Sequence, residues 1–280
     1  MTRLRLTLLT ALTLLAFAGN SVLCRIALRH TAIDAASFTS VRLVSGALVL
    51  VWIAHRWRAD RAGGGSWGSA LALLAYAAGF SWAYTQLSAG TGALLLFGAV
   101  QATMIGRGLW AGERLLGRQW AGLAMAMGGL LGLMLPGASA PPLLGATLMV
   151  GAGVAWGVYS LRGRGAGDPT RVTTGNFWRA ALLALAMSAV LLQQARWDAA
   201  GLACAVASGA ITSGLGYALW YAVLPQLRAT TAATVQLSVP VLAALGGMVL
   251  LGETMSLRWA LAALAVLGGI AAVVWGKARG

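Results

Sequence analysis

Tyr76, Phe80 and Tyr84 recur at i, i+4 and i+8, which places three rings in one stripe along a helix. Polar and aromatic side chains also punctuate other apolar stretches: Asn20 and Ser21, Gln101, Trp156 and Tyr159, Tyr217, Trp220 and Tyr221, and Gln236 and Ser238. Aromatic rings offer flat apolar contact, and the tyrosine and tryptophan rings add a polar handle. The amides of Asn20, Gln101 and Gln236 can hydrogen-bond a solute but do not titrate. Such a set suits a pocket for aromatic or amphipathic solutes. Asn20, Tyr76, Phe80, Gln101, Trp156, Tyr159, Tyr217 and Gln236 are the expected binding residues. Tyr84, Trp220 and Tyr221 fall near stretch ends and are assigned to an anchoring belt at a membrane interface.

Reactive chemistry is absent from the same stretches. Asp34, Asp60, Glu113, Asp168, Asp198 and Glu253 are the only acids, and each falls in an expected loop or at a helix end, as do His30 and His55. No phosphate-binding Gly-x-x-x-x-Gly-Lys-Ser/Thr segment occurs, and Lys277 is the one lysine. No His-Glu-x-x-His segment occurs, and no metal site, cofactor or catalytic activity is expected. Gly151-x-Gly153 lies inside an apolar run, where a dinucleotide loop has no place. The rival classes are a membrane-embedded enzyme, an assembly scaffold and a pore. An enzyme needs convergent titratable groups, and a pore needs a charged ring or a carbonyl filter.

The stretches that must position these residues are membrane-like. The chain is 59% hydrophobic and 9% charged, where soluble domains are about 45–50% apolar and about 25% charged. Its mean hydropathy is +0.80. Apolar runs close to the ~20 residues that span a bilayer lie at about 6–28, 35–55, 67–86, 91–111, 119–136, 142–161, 174–193, 199–222, 230–250 and 259–276. The net charge of +14 comes from arginines in the gaps between runs, so nucleic-acid binding is not expected. Cys24 and Cys204 both sit inside apolar runs and read as small buried residues rather than a disulfide.

The gaps also repeat. Gln86-Leu87, Thr91, Gly112-Glu113, Arg118 and Gly128-Gly129 return as Gln226-Leu227, Thr231, Gly252-Glu253, Arg258 and Gly268-Gly269, an offset of 140 in a chain of 280. Five spans in each half make the copies inverted, the arrangement that builds a central site in many transporters. The expected fold is therefore all-α, ten transmembrane helices in two inverted five-helix repeats, residues 1–137 and 142–280, joined by the Pro-rich link from Gly137 to Pro142. With both termini cytoplasmic, Arg3, Arg5, Arg56, Arg58, Arg61, Arg107, Arg114, Arg118, Arg162, Arg164, Arg171, Arg228, Lys277 and Arg279 fall inside, against Arg29, Arg196 and Arg258 outside. That bias obeys the positive-inside rule and fits a bacterial-type inner membrane. The N-terminus also reads as a cleavable leader, with Arg3 and Arg5, a leucine run and Ala16-Phe17-Ala18. Against this, Phe17-Ala18 and Arg25 match Trp156-Gly157 and Arg164 at the same internal spacing, so the segment is taken as the first helix.

Together these features resemble the EamA branch of the drug/metabolite transporter superfamily. The resemblance rests on an aromatic-small pair followed eight residues later by arginine, on Arg42 and its match Arg179 early in the second helix of each half, and on the ending Pro240…Gly252-Glu253. It covers the whole chain and looks nearest to YddG-type exporters of aromatic and other amino acids. The first half departs from it where Val100 stands in the place of Pro240. The resemblance implies a carrier of small molecules, amino acids first, embedded in lipid; the oligomeric state is open and a monomer is plausible. Arg42 and Arg179 are expected to help close two gates, with at least one of them snorkelling to the interface. Pro240 is expected to break the ninth helix where it lines a cavity, because proline leaves the Gln236 carbonyl without its N–H. The 38 glycines, about twice ordinary usage, suggest close helix packing through pairs such as Gly108/Gly112, Gly128/Gly132 and Gly153/Gly157. With no carboxylate or histidine at membrane depth, facilitated transport is expected, and proton-coupled efflux is the alternative.

Overall fold

Serine and aspartate side chains start four of the helices. The side chains of Ser66, Ser88, Asp168 and Asp198 accept hydrogen bonds from the backbone N–H three residues on, each cap stabilising its helix by about 1 kcal/mol. The computed structural model describes residues 2–56, 64–112, 114–137, 140–163, 166–227 and 229–277. Asp60, Glu113, Arg58, Arg61, Arg164, Arg228, Arg279 and part of the Gly137–Pro142 link lie outside the described residues. Among the described residues there is no strand. The helices are α1 (Arg3–His30), α2 (Ala35–Arg56), α3 (Trp67–Tyr84), α4 (Ala89–Trp110), α5 (Gly117–Met134), α6 (Leu143–Gly163) and α7 (Pro169–Val190). α8 (Ala199–Gln226), α9 in two segments (Ala229–Gln236 and Ser238–Leu251) and α10 (Leu257–Lys277) follow. α7 starts well before the apolar run near residue 174, because Asp168 and Pro169 set a cap and first turn that hydropathy does not register.

Among the described residues seven segments are long and apolar enough to cross a membrane: Arg3–His30, Ala35–Arg56, Ala89–Trp110, Leu143–Gly163, Ala199–Gln226, Thr234–Leu251 and Leu257–Trp275. α3, α5 and α7 are not among them. α3 carries Trp67, Tyr76, Trp82 and Tyr84, α5 opens on Arg118 and Gln119, and α7 holds Asn176 and Arg179, all of which lower the mean hydropathy. Leu48, Trp52, Leu131, Leu182, Leu245 and Val249 point outward, the surface expected where the surroundings are lipid rather than water. This is a multi-pass membrane protein.

Glycines bring the helices together, though not all at the expected positions. A Cβ on Gly153 would come within 2.6 Å of the Leu96 carbonyl oxygen and one on Gly157 within 2.8 Å of Thr103 Cβ, so that pair does seat α6 on α4. Gly128 and Gly132, in contrast, face open space. The contact of α5 with α10 uses Gly122 and Gly129 instead, where a Cβ would approach the carbonyl oxygens of Gly269 and Ala262 to 2.7 and 3.1 Å. Spacing alone does not say which face of a glycine-rich helix meets its neighbour. Gly252 has another task, closing α9 at φ 64°, with its own N–H and that of Glu253 donating to Met248 and Gly247 carbonyls.

Helix partners recur in a crossed pattern. α6 packs on α3 and α4, while α1 packs on α8 and the second segment of α9; α2 pairs with α7, and α5 with α10. α9 breaks at Leu237, three residues ahead of Pro240, whereas α4, with Val100, runs unbroken. α8 carries a π-helical stretch over Ala207–Leu215, a form that accommodates an extra residue per turn and is frequent at functional sites. At the α1–α2 turn, Asp34 Oδ1 accepts from the Ala36 and Ser37 N–H groups and Oδ2 from Arg196 N–H. Burial alone would raise its pKa, but the hydrogen bonds from Ser37, Arg196 and Ala36 outweigh it and hold the carboxyl below the ordinary value.

Candidate functional site

Where α1, α3, α4, α6, α7, α8 and α9 meet, the helices leave a cavity of about 530 Å³. Asn20, Tyr76, Phe80, Gln101, Trp156, Tyr159, Tyr217 and Gln236 all line it. Trp156 is the hub of its aromatic wall. Its ring stacks on Tyr217 at 5.3 Å between centroids and on Tyr159 at 5.2 Å, and lies 4.7 Å from Tyr76. Tyr76 in turn meets Phe80 at 5.4 Å, and Phe17 reaches Tyr217 at 5.7 Å. Phe17 and Trp156, the matched aromatics of the two halves, thus both contact the Tyr217 ring.

The belt assignment fails. Tyr84 is fully buried, with its hydroxyl donating to the Ala89 carbonyl, and Trp220 and Tyr221 line the cavity. Nearness to the end of a helix does not fix depth here, because α3 and α8 pack their end residues against neighbouring helices. Other lining residues were not signalled by the sequence reading: Phe97, Thr173, Asn176, Thr212 and Ser213. A polar run, Ser208-Gly-Ala-Ile-Thr-Ser213, was the available signal in α8. The π-helical stretch turns these hydroxyls inward, and Ser208 Oγ and Thr212 Oγ1 donate to Asn20 Oδ1 at 2.6 and 3.2 Å.

Arg42 and Arg179 have different surroundings. Arg42 does not snorkel: it is 2% exposed. Its Nη2 donates to Tyr76 Oη at 3.0 Å and its Nε to Ser213 Oγ at 3.4 Å, while the guanidinium lies 4.9 Å from the Phe80 ring centroid. Arg179 is half-buried; its Nη1 donates to the Gly64 and Gly175 carbonyls at 2.6 and 3.0 Å, and its guanidinium sits 5.7 Å from the Trp67 ring centroid. Pro240 is buried just beyond the break in α9, and Gln236 and Ala232 line the cavity from the segment before it.

One more cluster joins the halves. Arg25 Nε pairs with Glu253 Oε1 at 3.1 Å, and Arg25 Nη1 donates to the Tyr84 carbonyl at 2.9 Å. Glu253 Oε2 accepts from Ala89 N–H at 2.9 Å. Glu253 also borders a second hollow of about 400 Å³, with Gln86, Ser88, Thr91 and Trp259. Arg25 stands one turn beyond Ser21, which lines the first cavity, so the ion pair stands between the two hollows. Cys24 and Cys204 are free thiols. Among the described residues no cluster of His, Cys, Asp or Glu could hold a metal.

An all-helical bundle with an apolar outer face and a solute-sized aromatic and polar interior is the build of a membrane transport protein. Residues 143–275 match the model of the EamA-like transporter family, so the chain carries an EamA-like domain of the drug/metabolite transporter superfamily. It is 59% identical to an uncharacterised protein of Pseudomonas aeruginosa over 96% of this chain and 94% of that one. It is also similar to the threonine/homoserine exporter RhtA of Salmonella typhimurium (36% identity) and of Escherichia coli K12 (33%), each over 41% of this chain and 39% of the relative. A crystal structure at 20% identity superposes with a TM-score of 0.69, covering 97% of this chain and 96% of the other.

Proposed function

We propose that this transporter is an exporter of neutral amphipathic metabolites, aromatic amino acids first, and that it works by alternating access. One observation carries the substrate: Phe17, Tyr76, Phe80, Phe97, Trp156, Tyr159, Tyr217, Trp220 and Tyr221 ring a single cavity of about 530 Å³, within the size range of small-molecule sites. Asn20, Gln101 and Gln236 add neutral hydrogen-bonding groups for an ammonium or a carboxylate. RhtA is named for threonine and homoserine; nine rings fit a larger, flatter side chain than either, in keeping with the YddG-type resemblance.

The mechanism rests on ten spans in two inverted five-helix repeats, residues 1–137 and 142–280, in a bacterial inner membrane with both termini cytoplasmic. The crossed helix partners support that symmetry: α4 and α3 meet α6 as α9 and α8 meet α1. The cavity lining includes Gly163, Gly167, Pro169 and Leu224, which with the arginine bias lie on the cytoplasmic side. Arg25–Glu253 then bars the outer side, and the second hollow is the outer vestibule. The return stroke then breaks this pair. Arg179 ties α7 to the α2–α3 connection, Arg42 clasps α2 to α3 and α8, and Pro240 marks the hinge in α9.

Radiolabelled phenylalanine and tryptophan, with threonine beside them, are offered to liposomes that hold only this protein. Saturable flux and counterflow of the aromatic pair, faster than of threonine, are expected. No saturable flux of either aromatic acid overturns the proposal, and flux without saturation points to a pore.

A further inference from the structure

Among the described residues Arg42 is the one buried cation beside the cavity, and its clasp on α3 and α8 leaves its charge without a partner. Arg42 is wholly enclosed, yet among the described residues no carboxylate pairs with it, and its Nη1 has no hydrogen-bond partner. Arginine does not escape burial by losing its proton, as a lysine can. An uncompensated buried charge is expensive to keep. Phe80 and Tyr76 recover part of that through their ring faces, at 4.9 and 5.3 Å from the guanidinium carbon. The rest of the positive field is directed at what lies beyond those rings, which is the cavity.

Two hydroxyls carry that field through the wall. Tyr76 Oη and Ser213 Oγ each accept a hydrogen bond from Arg42, at 3.0 and 3.4 Å, and both residues line the cavity. A hydroxyl that accepts from a cation keeps its own proton to donate, and the cation polarises it toward donation. Both groups are therefore set as donors toward an anion on the cavity side. Charge-assisted bonds of this kind are about twice as strong as neutral ones.

We infer that Tyr76 and Ser213, backed by Arg42, form a carboxylate subsite in the cavity. Arg42 acts through the two hydroxyls as a positioning residue, and the aromatic wall around Trp156 takes the apolar part of the same solute. The site thereby selects aryl acids and aromatic amino acids over aryl amines of the same shape. This rests on the carrier reading for its substrate class, but it can be read without transport.

The probes are 3-phenylpropionate, phenylalanine and phenethylamine, titrated by calorimetry into the full-length protein in detergent. The acid should bind at least about tenfold more tightly than the amine, the size expected of hydrogen bonds to a charged group. Arg42→Gln should bring that ratio close to one by weakening the acid alone, and Arg42→Lys should keep part of it. Tyr76→Phe, which retains the ring, should lower acid affinity and leave the amine unchanged. A wild-type protein without preference for the acid overturns the subsite, as does an unchanged ratio in Arg42→Gln. Should Arg42→Gln not fold, the wild-type ratio and Tyr76→Phe decide. Liposome flux separates the two proposals: acid that binds but does not cross removes the carrier and keeps the subsite, whereas acid and amine crossing equally well keep the carrier and remove the subsite.

Discussion

Trp156 touches three rings at once, as Tyr217 also does, so its loss opens the aromatic wall. An aromatic pair is worth about 0.5–1.5 kcal/mol beyond the area it buries. A bound phenylalanine ring would trade contacts with the same face. Trp156→Ala should therefore raise the half-saturation concentration for phenylalanine and tryptophan by roughly three- to tenfold and change that for threonine little, as read from initial rates in liposomes. An equal loss for threonine would mean a collapsed bundle instead of a missing wall. The eight residues that meet at this cavity were legible from polarity and position within apolar runs. Thr212, Ser213 and Asn176 were not, because a threonine or serine in a helix bonds its own preceding carbonyl as readily as a solute. Only the π-helical stretch of α8 turns those hydroxyls toward Asn20 and Arg42.

At the scale of helices, the sequence disclosed the elements better than their facing sides. Apolar runs located the helices within a few residues, and among the described residues seven segments have the length and apolarity of a span. The faces came out less well: Gly122 and Gly129, not Gly128 and Gly132, approach α10. Glu253 was legible only as one half of a repeated turn, and its partner Arg25 only as a basic residue eight positions after the aromatic-small pair. The structure joins them and links α1, the α3–α4 turn and the end of α9. If that junction is the outer gate, Glu253→Gln should open it part of the time. Cys24, fully buried beside Arg25, reports the opening. In a Cys204→Ser background, a membrane-impermeant maleimide applied outside intact cells should label Cys24 several-fold faster in Glu253→Gln than in the parent, since access governs thiol reactivity. The hinge and clasp belong to the same assay: Arg179→Ala and Pro240→Ala should shift the labelling rate with phenylalanine binding intact. Equal rates in all the variants would remove the gate.

Among the described residues no carboxylate lines the cavity. Asp168 and Asp198 cap helices, Asp34 binds the Arg196 and Ser37 backbone, and Glu253 is held by Arg25 and Ala89. Asp60 and Glu113 are outside the described residues. Cavity polarity comes instead from amides, hydroxyls and the guanidinium behind them, none of which exchanges a proton near neutral pH. Carriers that move protons relay them through carboxylates or histidines inside the bundle, and sodium sites draw on oxygen-rich broken helices. The break in α9 supplies one freed carbonyl at Gln236 but no carboxylate beside it. On the proposed function the carrier binds a zwitterion, changes access and lets go, with the substrate gradient as the source of work. The prediction is that phenylalanine in proteoliposomes rises to the external concentration and stops, with the same rate and end point under imposed proton or sodium gradients at zero potential. Accumulation beyond that level, abolished by an ionophore for one of the two ions, would place a coupling site in this bundle and end the uncoupled reading.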